Sequence, residues 1–244
     1  MFEREVSITT RHGRMTTFAV CPDEQGQWPL ILFYMDAPGY REELKNMARR
    51  IAKQGYYVLM PDLYYRIGTV RFDLPRREET MSAVVKACIQ HAMNREQIID
   101  DTGAAIAYGD AQAQVKEGPV GCVGYCMGGP FITWAAAAYP DRIKAAGSLY
   151  GVRLVNELEQ SPHLWIGKVE AEVYFGFADH DPASPRDKVE IFTRAMEDAG
   201  VKHQVEWLTD TEHGFCFPER GHYNPVAAEL VWTRLFGLWE RNLG

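Results

Sequence analysis

Three side chains that could share nucleophilic chemistry each follow an apolar run. Cys126 comes after Val120-Gly121-Cys122-Val123-Gly124-Tyr125, Asp179 after Glu172 to Ala178, and His213 after the run from His203 to Leu208. A thiol is a weak nucleophile until a base takes its proton. A histidine can do so, and a carboxylate behind the ring fixes its tautomer and stabilises the imidazolium. Asp181 and Asp210 stand close enough in sequence to take the place assigned here to Asp179.

The cysteine lies in Gly124-Tyr125-Cys126-Met127-Gly128-Gly129, between an apolar run and an alanine-rich segment. That order reads as strand, sharp turn and helix, with Cys126 at the apex of a nucleophile elbow. The flanking glycines let strand and helix pass without a Cβ between them, and the helix N-terminus favours thiolate. The usual form of the pattern has serine in the centre. Taken alone, the stretch also fits a glycine-rich turn around an inert core cysteine. The chain order Cys126, Asp179, His213 favours chemistry, because nucleophile, acid, histidine is the order of an α/β-hydrolase arrangement.

Acyl transfer also needs donors for a developing oxyanion. The backbone N–H of Met127, just past the nucleophile, is one candidate. Ala37, in the loop Asp36-Ala37-Pro38-Gly39 after an early strand, is the other. His180 is read as a structural neighbour of the acid, and Cys122 as core. Cys216 lacks the spaced partners of a metal site.

The elements that must position these groups are legible as alternating strands and helices. Val6 to Thr10 and Met15 to Val20 flank Arg11-His12-Gly13-Arg14 and predict an N-terminal hairpin. Strands are expected at Leu30 to Met35, Tyr56 to Met60, Val120 to Gly124, Ile143 to Tyr150, Glu172 to Phe177 and His203 to Leu208. Helices are expected at Glu42 to Gln54, Thr80 to Asn94, Ile98 to Val115 with interruptions at Gly103 and Gly109, Phe131 to Tyr139, Lys188 to Ala199 and Pro225 to Glu240. Residues 61–79 and 151–168 read as irregular. The alternation predicts an α/β fold of the α/β-hydrolase type, a mainly parallel central sheet flanked by helices, in a single domain spanning residues 1–244.

Composition restricts the function classes. The 244 residues are 46% hydrophobic and 24% charged, as in an ordinary globular protein, and the net charge of −7 speaks against nucleic acid or an anionic membrane as partner. Five widely spaced cysteines suggest no disulfide framework, so a reducing cytoplasm is expected. The acidic start Met1-Phe2-Glu3-Arg4-Glu5 is unlike a secretory leader.

Gly124-Tyr125-Cys126-Met127-Gly128-Gly129, Pro61-Asp62-Leu63-Tyr64, Gly176-Phe177-Ala178-Asp179-His180 and Glu212-His213-Gly214-Phe215 together resemble the dienelactone hydrolase (carboxymethylenebutenolidase) family. The resemblance runs from about Val6 to the last helix. It implies a Cys-Asp-His triad that opens a small lactone or ester through an acyl-thiol intermediate, with no metal or organic cofactor. It also implies that an acid on the early loop, here Asp36 where well-known members have Glu, holds the resting thiol. Arginines that grip a substrate carboxylate have a counterpart in Arg77. After His213, however, the chain offers Phe217, with Arg220 only later, and an aromatic does not replace a bidentate clamp. A substrate less anionic than dienelactone is therefore expected. A general carboxylesterase or thioesterase on the same scaffold, and a non-catalytic ligand-binding or redox-sensing module using Cys126, are the competing readings. The sequence sets no oligomeric state.

Overall fold

Strict alternation of exposed and covered residues along Phe2–Thr10 makes it a strand with one face in solvent. In the computed structural model, which describes residues 1–74 and 79–244, this is β1. It pairs antiparallel with β2 (Gly13–Cys21), in register from Phe2 opposite Cys21 to Thr10 opposite Gly13. The hairpin expectation holds, with each strand longer than its apolar part.

The described residues form two compact units, Met1–Glu117 and Gly118–Gly244. In the first, the strand order is β1-β2-β4-β3. β3 (Leu30–Tyr34) and β4 (Tyr57–Pro61) are apolar on both faces and pair in parallel, while β2 joins β4 antiparallel. Helix α1 (Glu42–Ala52) buries Leu44, Met47, Ala48 and Ile51, the stripe that its spacing predicts. Helices α2 (Glu79–Ala92) and α3 (Arg95–Asp110) follow. Asn94 caps α3 by accepting from the Gln97 N–H at 3.1 Å.

Helix α3 runs through Gly103 without the expected interruption. Gly109 lies inside the helix as well. A Cβ there would come within 2.6 Å of Leu30 Cδ2, so its glycine serves close helix–strand approach rather than helix termination.

The second unit has the strand order β5-β6-β7-β8, all parallel: Val120–Tyr125, Ile143–Leu149, Glu172–His180 and His203–Glu212. Helix α4 (Gly128–Ala138) packs on β5 and β6, and α6 (Pro225–Leu243) on β6 and β7. α5 is Arg186–Asp198. The stretch 151–168, read as irregular, holds two short 3₁₀ turns at Pro162–Leu164 and Ile166–Lys168.

Two strands of this unit run three or more residues past their sequence-based limits. β7 continues to His180 and β8 to Glu212, because a register shift follows Ala178. Ala178 lies opposite Leu208, while His180 lies opposite Glu212. Two extra residues on β8 are absorbed in a bulge around Asp210, whose φ is 54°. The Thr211 hydroxyl ties the bulge together, donating to Leu208 O at 2.5 Å and accepting from the Asp179 N–H at 3.2 Å.

Candidate active site

The elbow is built by steric necessity. Cys126 has φ 53°, a left-handed conformation that a non-glycine residue adopts only when its surroundings impose it. Its N–H donates to Leu149 O at 3.0 Å, and its carbonyl accepts from Gly129 at 3.0 Å and Val152 at 3.2 Å. A Cβ on Gly124 would lie 2.1 Å from Gly128 O, and one on Gly129 would lie 2.4 Å from the Gly151 Cα. Only glycine fits at either place. The expected strand–turn–helix is present, with Cys126 at the apex and α4 starting two residues beyond it.

His213 follows β8 directly. Its Nδ1 lies 2.7 Å from Asp181 Oδ2, which leaves Nε2 for the side-chain hydrogen bond to Cys126. Burial works against the charged ring. The Cys126 thiolate charge, the bond to Asp181 and the bond to Cys126 outweigh it and lift His213 from 6.5 to about 10.

The carboxylate that meets His213 is that of Asp181 and not of the expected Asp179. Because β7 runs on through His180, Asp179 still belongs to the strand, and its Oδ1 accepts from Arg186 at 2.5 Å. Asp181 is the first residue past the strand. Its side chain is fully covered, and its Oδ1 accepts from the Ala183 N–H at 2.9 Å, an Asx turn that orients the carboxylate. Asp210, the other alternative, is exposed on the β8 bulge. The missed signal is the dipeptide Asp181-Pro182: an acid before proline, at a strand end, marks a turn start.

An aromatic wall backs the histidine. Tyr150 has φ 39° and meets the His213 ring edge-on at 5.0 Å, and Phe215 packs on Tyr150 at 5.4 Å. Phe217 is 1% exposed, with its ring 5.5 Å from Tyr125 and 6.2 Å from Tyr150. It was expected to contact substrate, but it is buried behind the wall. Arg220 sits over the Phe217 ring at 5.7 Å. Burial pushes the Cys216 thiol up, with a bond from Tyr150 acting in the opposite direction, and burial likewise raises Cys122. Both are poor nucleophiles.

In the first unit, the loop after β3 is held by its own contacts. Arg41 donates to both Asp36 oxygens, at 2.5 and 3.1 Å, and the Tyr64 hydroxyl donates to Ala37 O at 2.6 Å. Asp36 is 1% exposed, and its carboxylate is paired with that guanidinium. Arg77 lies outside the described residues. One group among the described residues could offer three metal-ligand atoms within 4.8 Å of one another, Asp179, His180 and Asp210, although Arg186 already holds Asp179.

A cysteine elbow, with a histidine and a carboxylate at the C-terminal ends of successive parallel strands, defines an α/β hydrolase. The chain belongs to the dienelactone hydrolase family, whose sequence model matches residues 15–243. It is 26% identical over 241 residues to a Synechocystis protein named for carboxymethylenebutenolidase, covering 98% of this chain and 96% of that one. It is 29% identical over 244 residues to a likewise named Methylorubrum extorquens protein, covering 98% and 81%. A crystal structure from Klebsiella pneumoniae, named as a dienelactone hydrolase, superposes with a TM-score of 0.87 at 22% identity over 98% of each chain. That match shows the fold.

Proposed function

We propose that this protein hydrolyses a small lactone or carboxylic ester through a Cys126–His213–Asp181 triad and an acyl-thiol intermediate. The observation that carries the reading is the single histidine that reaches Asp181 with one nitrogen and Cys126 with the other. The names of the curated relatives support a lactone as the substrate class.

In this mechanism the Cys126 thiolate adds to the carbonyl carbon, and the oxygen takes the negative charge. The N–H groups of Met127 and Ala37 receive that charge. Collapse expels the alkoxide, which takes the proton from His213 Nε2, and leaves a thioester. His213, now neutral, removes a proton from water as it attacks the thioester. The second collapse releases the acid and restores thiolate and imidazolium. Asp181 holds Nδ1–H throughout and stabilises the ring whenever it is charged. On this reading residues 1–244 are one hydrolase domain, and Asp36 shapes the loop that carries Ala37. The chain works in a reducing cytoplasm, where its five free thiols persist.

Arg220, the first arginine after His213, lies over the buried Phe217 ring, and the lack of an arginine directly after the histidine supports a substrate less anionic than dienelactone. Hydrolysis of a short-chain p-nitrophenyl ester and of dienelactone by wild type and Cys126→Ala tests the proposal. Loss of both activities in the variant, with the neutral ester preferred by wild type, is expected. Full activity in Cys126→Ala would overturn the nucleophile assignment, and a strong preference for the free acid would overturn the substrate assignment.

A further inference from the structure

A second concave site lies in the Gly118–Gly244 unit, between the loop after β6 and the turn that leads into α5. It has a volume of about 200 Å³, smaller than the roughly 300–1,000 Å³ of pockets for drug-sized ligands. Leu154, Val155, Pro182 and Val189 give it apolar walls, and Arg153 and Lys188 supply the charge. No carboxylate lines it, and neither do Cys126, Met127 or His213.

Both cations are exposed and, among the described residues, neither side chain is in an ion pair. In a chain of net charge −7, two such cations facing one apolar cavity with no acid between them make a local field of the opposite sign. Burial first, and then the Lys188 charge, hold His163 below its usual range. Arg153 has φ 55°, a conformation that glycine adopts at no steric cost and a long side chain does not. The position keeps a guanidinium where the backbone would prefer none.

The walls are fixed. The Ser184 hydroxyl donates to Gly151 O at 3.0 Å across the two segments, and the Ser184 N–H donates to Asp181 O at 3.2 Å.

We propose that this cavity is a binding site for a small organic monocarboxylate with an apolar tail, its carboxylate between Arg153 and Lys188 and its tail on Leu154, Val155 and Val189. A guanidinium and an ammonium both donate to carboxylate oxygens, and the absence of a competing acid leaves those donors to the ligand. The volume limits the tail to a few carbons. This inference does not depend on the proposed hydrolysis, since it concerns residues outside the triad.

Isothermal titration of the full chain carrying Cys126→Ala, with hexanoate, hexanamide and inorganic phosphate as probes, tests it without turnover. Hexanoate binding that is at least about tenfold tighter than hexanamide or phosphate is expected. The same loss is expected for hexanoate on adding Arg153→Ala and Lys188→Ala, with Arg153→Lys retaining part of the affinity. Both side chains are exposed, and unchanged circular dichroism establishes that the variants are folded. Three results would each overturn the proposal: no hexanoate binding at millimolar concentration, equal binding of hexanoate and hexanamide, or hexanoate binding unchanged in the double variant.

Discussion

His213 Nδ1 lies 2.7 Å from Asp181 Oδ2, and Asp181 reaches it because β7 ends one residue earlier, at His180. A shift of two residues along the strand end separates a carboxylate that orients the histidine from one held by Arg186 at 2.5 Å. The difference between those two aspartates is the most specific consequence of the fold.

The thiols should differ sharply in reactivity. Cys21, Cys88, Cys122 and Cys216 are buried, and burial raises each of them, whereas Cys126 is partly exposed and bonded to His213. Iodoacetamide at pH 7 should modify one thiol in the native protein, which peptide mass spectrometry will place at Cys126. His213→Ala should slow that reaction at least about tenfold, because the imidazolium favours thiolate. Equal labelling of a buried cysteine would contradict this assignment.

The elbow should tolerate no Cβ. Gly124→Ala places one 2.1 Å from the backbone oxygen of Gly128, so the strand and helix must separate. A stability loss of about 1–3 kcal/mol is expected, with loss of activity as Cys126 is displaced. Gly221→Ala meets no atom within 4 Å and should change stability by less than about 0.5 kcal/mol. Thermal unfolding of the two variants checks both figures.

Acid sensitivity should carry the signature of Glu172. Burial would raise its pKa, but hydrogen bonds from Arg241, Lys202 and Asn242 lower it to about 2 from 4.5. A carboxylate depressed in the folded state contributes stability above its unfolded value, and that contribution disappears as pH falls through the folded value. The loss should therefore run from about pH 4.5 down to about pH 2. Lys202 and Arg241 are exposed, which discounts the interaction to about 1–2 kcal/mol at pH 7. Urea unfolding of Glu172→Gln should show that deficit at neutral pH, and none at pH 2.

The parts of the fold read correctly from sequence are those set by local pattern. The continuous apolar runs at Leu30 and Val120 and the spacing of Leu44, Met47, Ala48 and Ile51 each mark an element wherever it sits in space. The elbow was legible because Gly124 is required by a contact only four residues away, with Gly128 O. The acid was not. Its assignment depends on how far β7 runs, and the bulge at Asp210 that sets that length is a pairing between strands 30 residues apart. Gly109 was misread for the same reason: its neighbour is Leu30, distant in sequence. Phe217 lies close to the histidine in sequence, and only packing on Tyr125 and Tyr150 shows that it faces inward.

The most direct test compares kcat/KM for p-nitrophenyl ester hydrolysis in Asp181→Asn and Asp179→Asn. Asparagine keeps the size of the side chain and removes the charge that stabilises the imidazolium. Asp181→Asn should lose about 10³–10⁴-fold, as expected for a triad that has lost its acid, while Asp179→Asn should stay within a few-fold of wild type. The reverse pattern would contradict the triad drawn from this structure, and so would equal small effects.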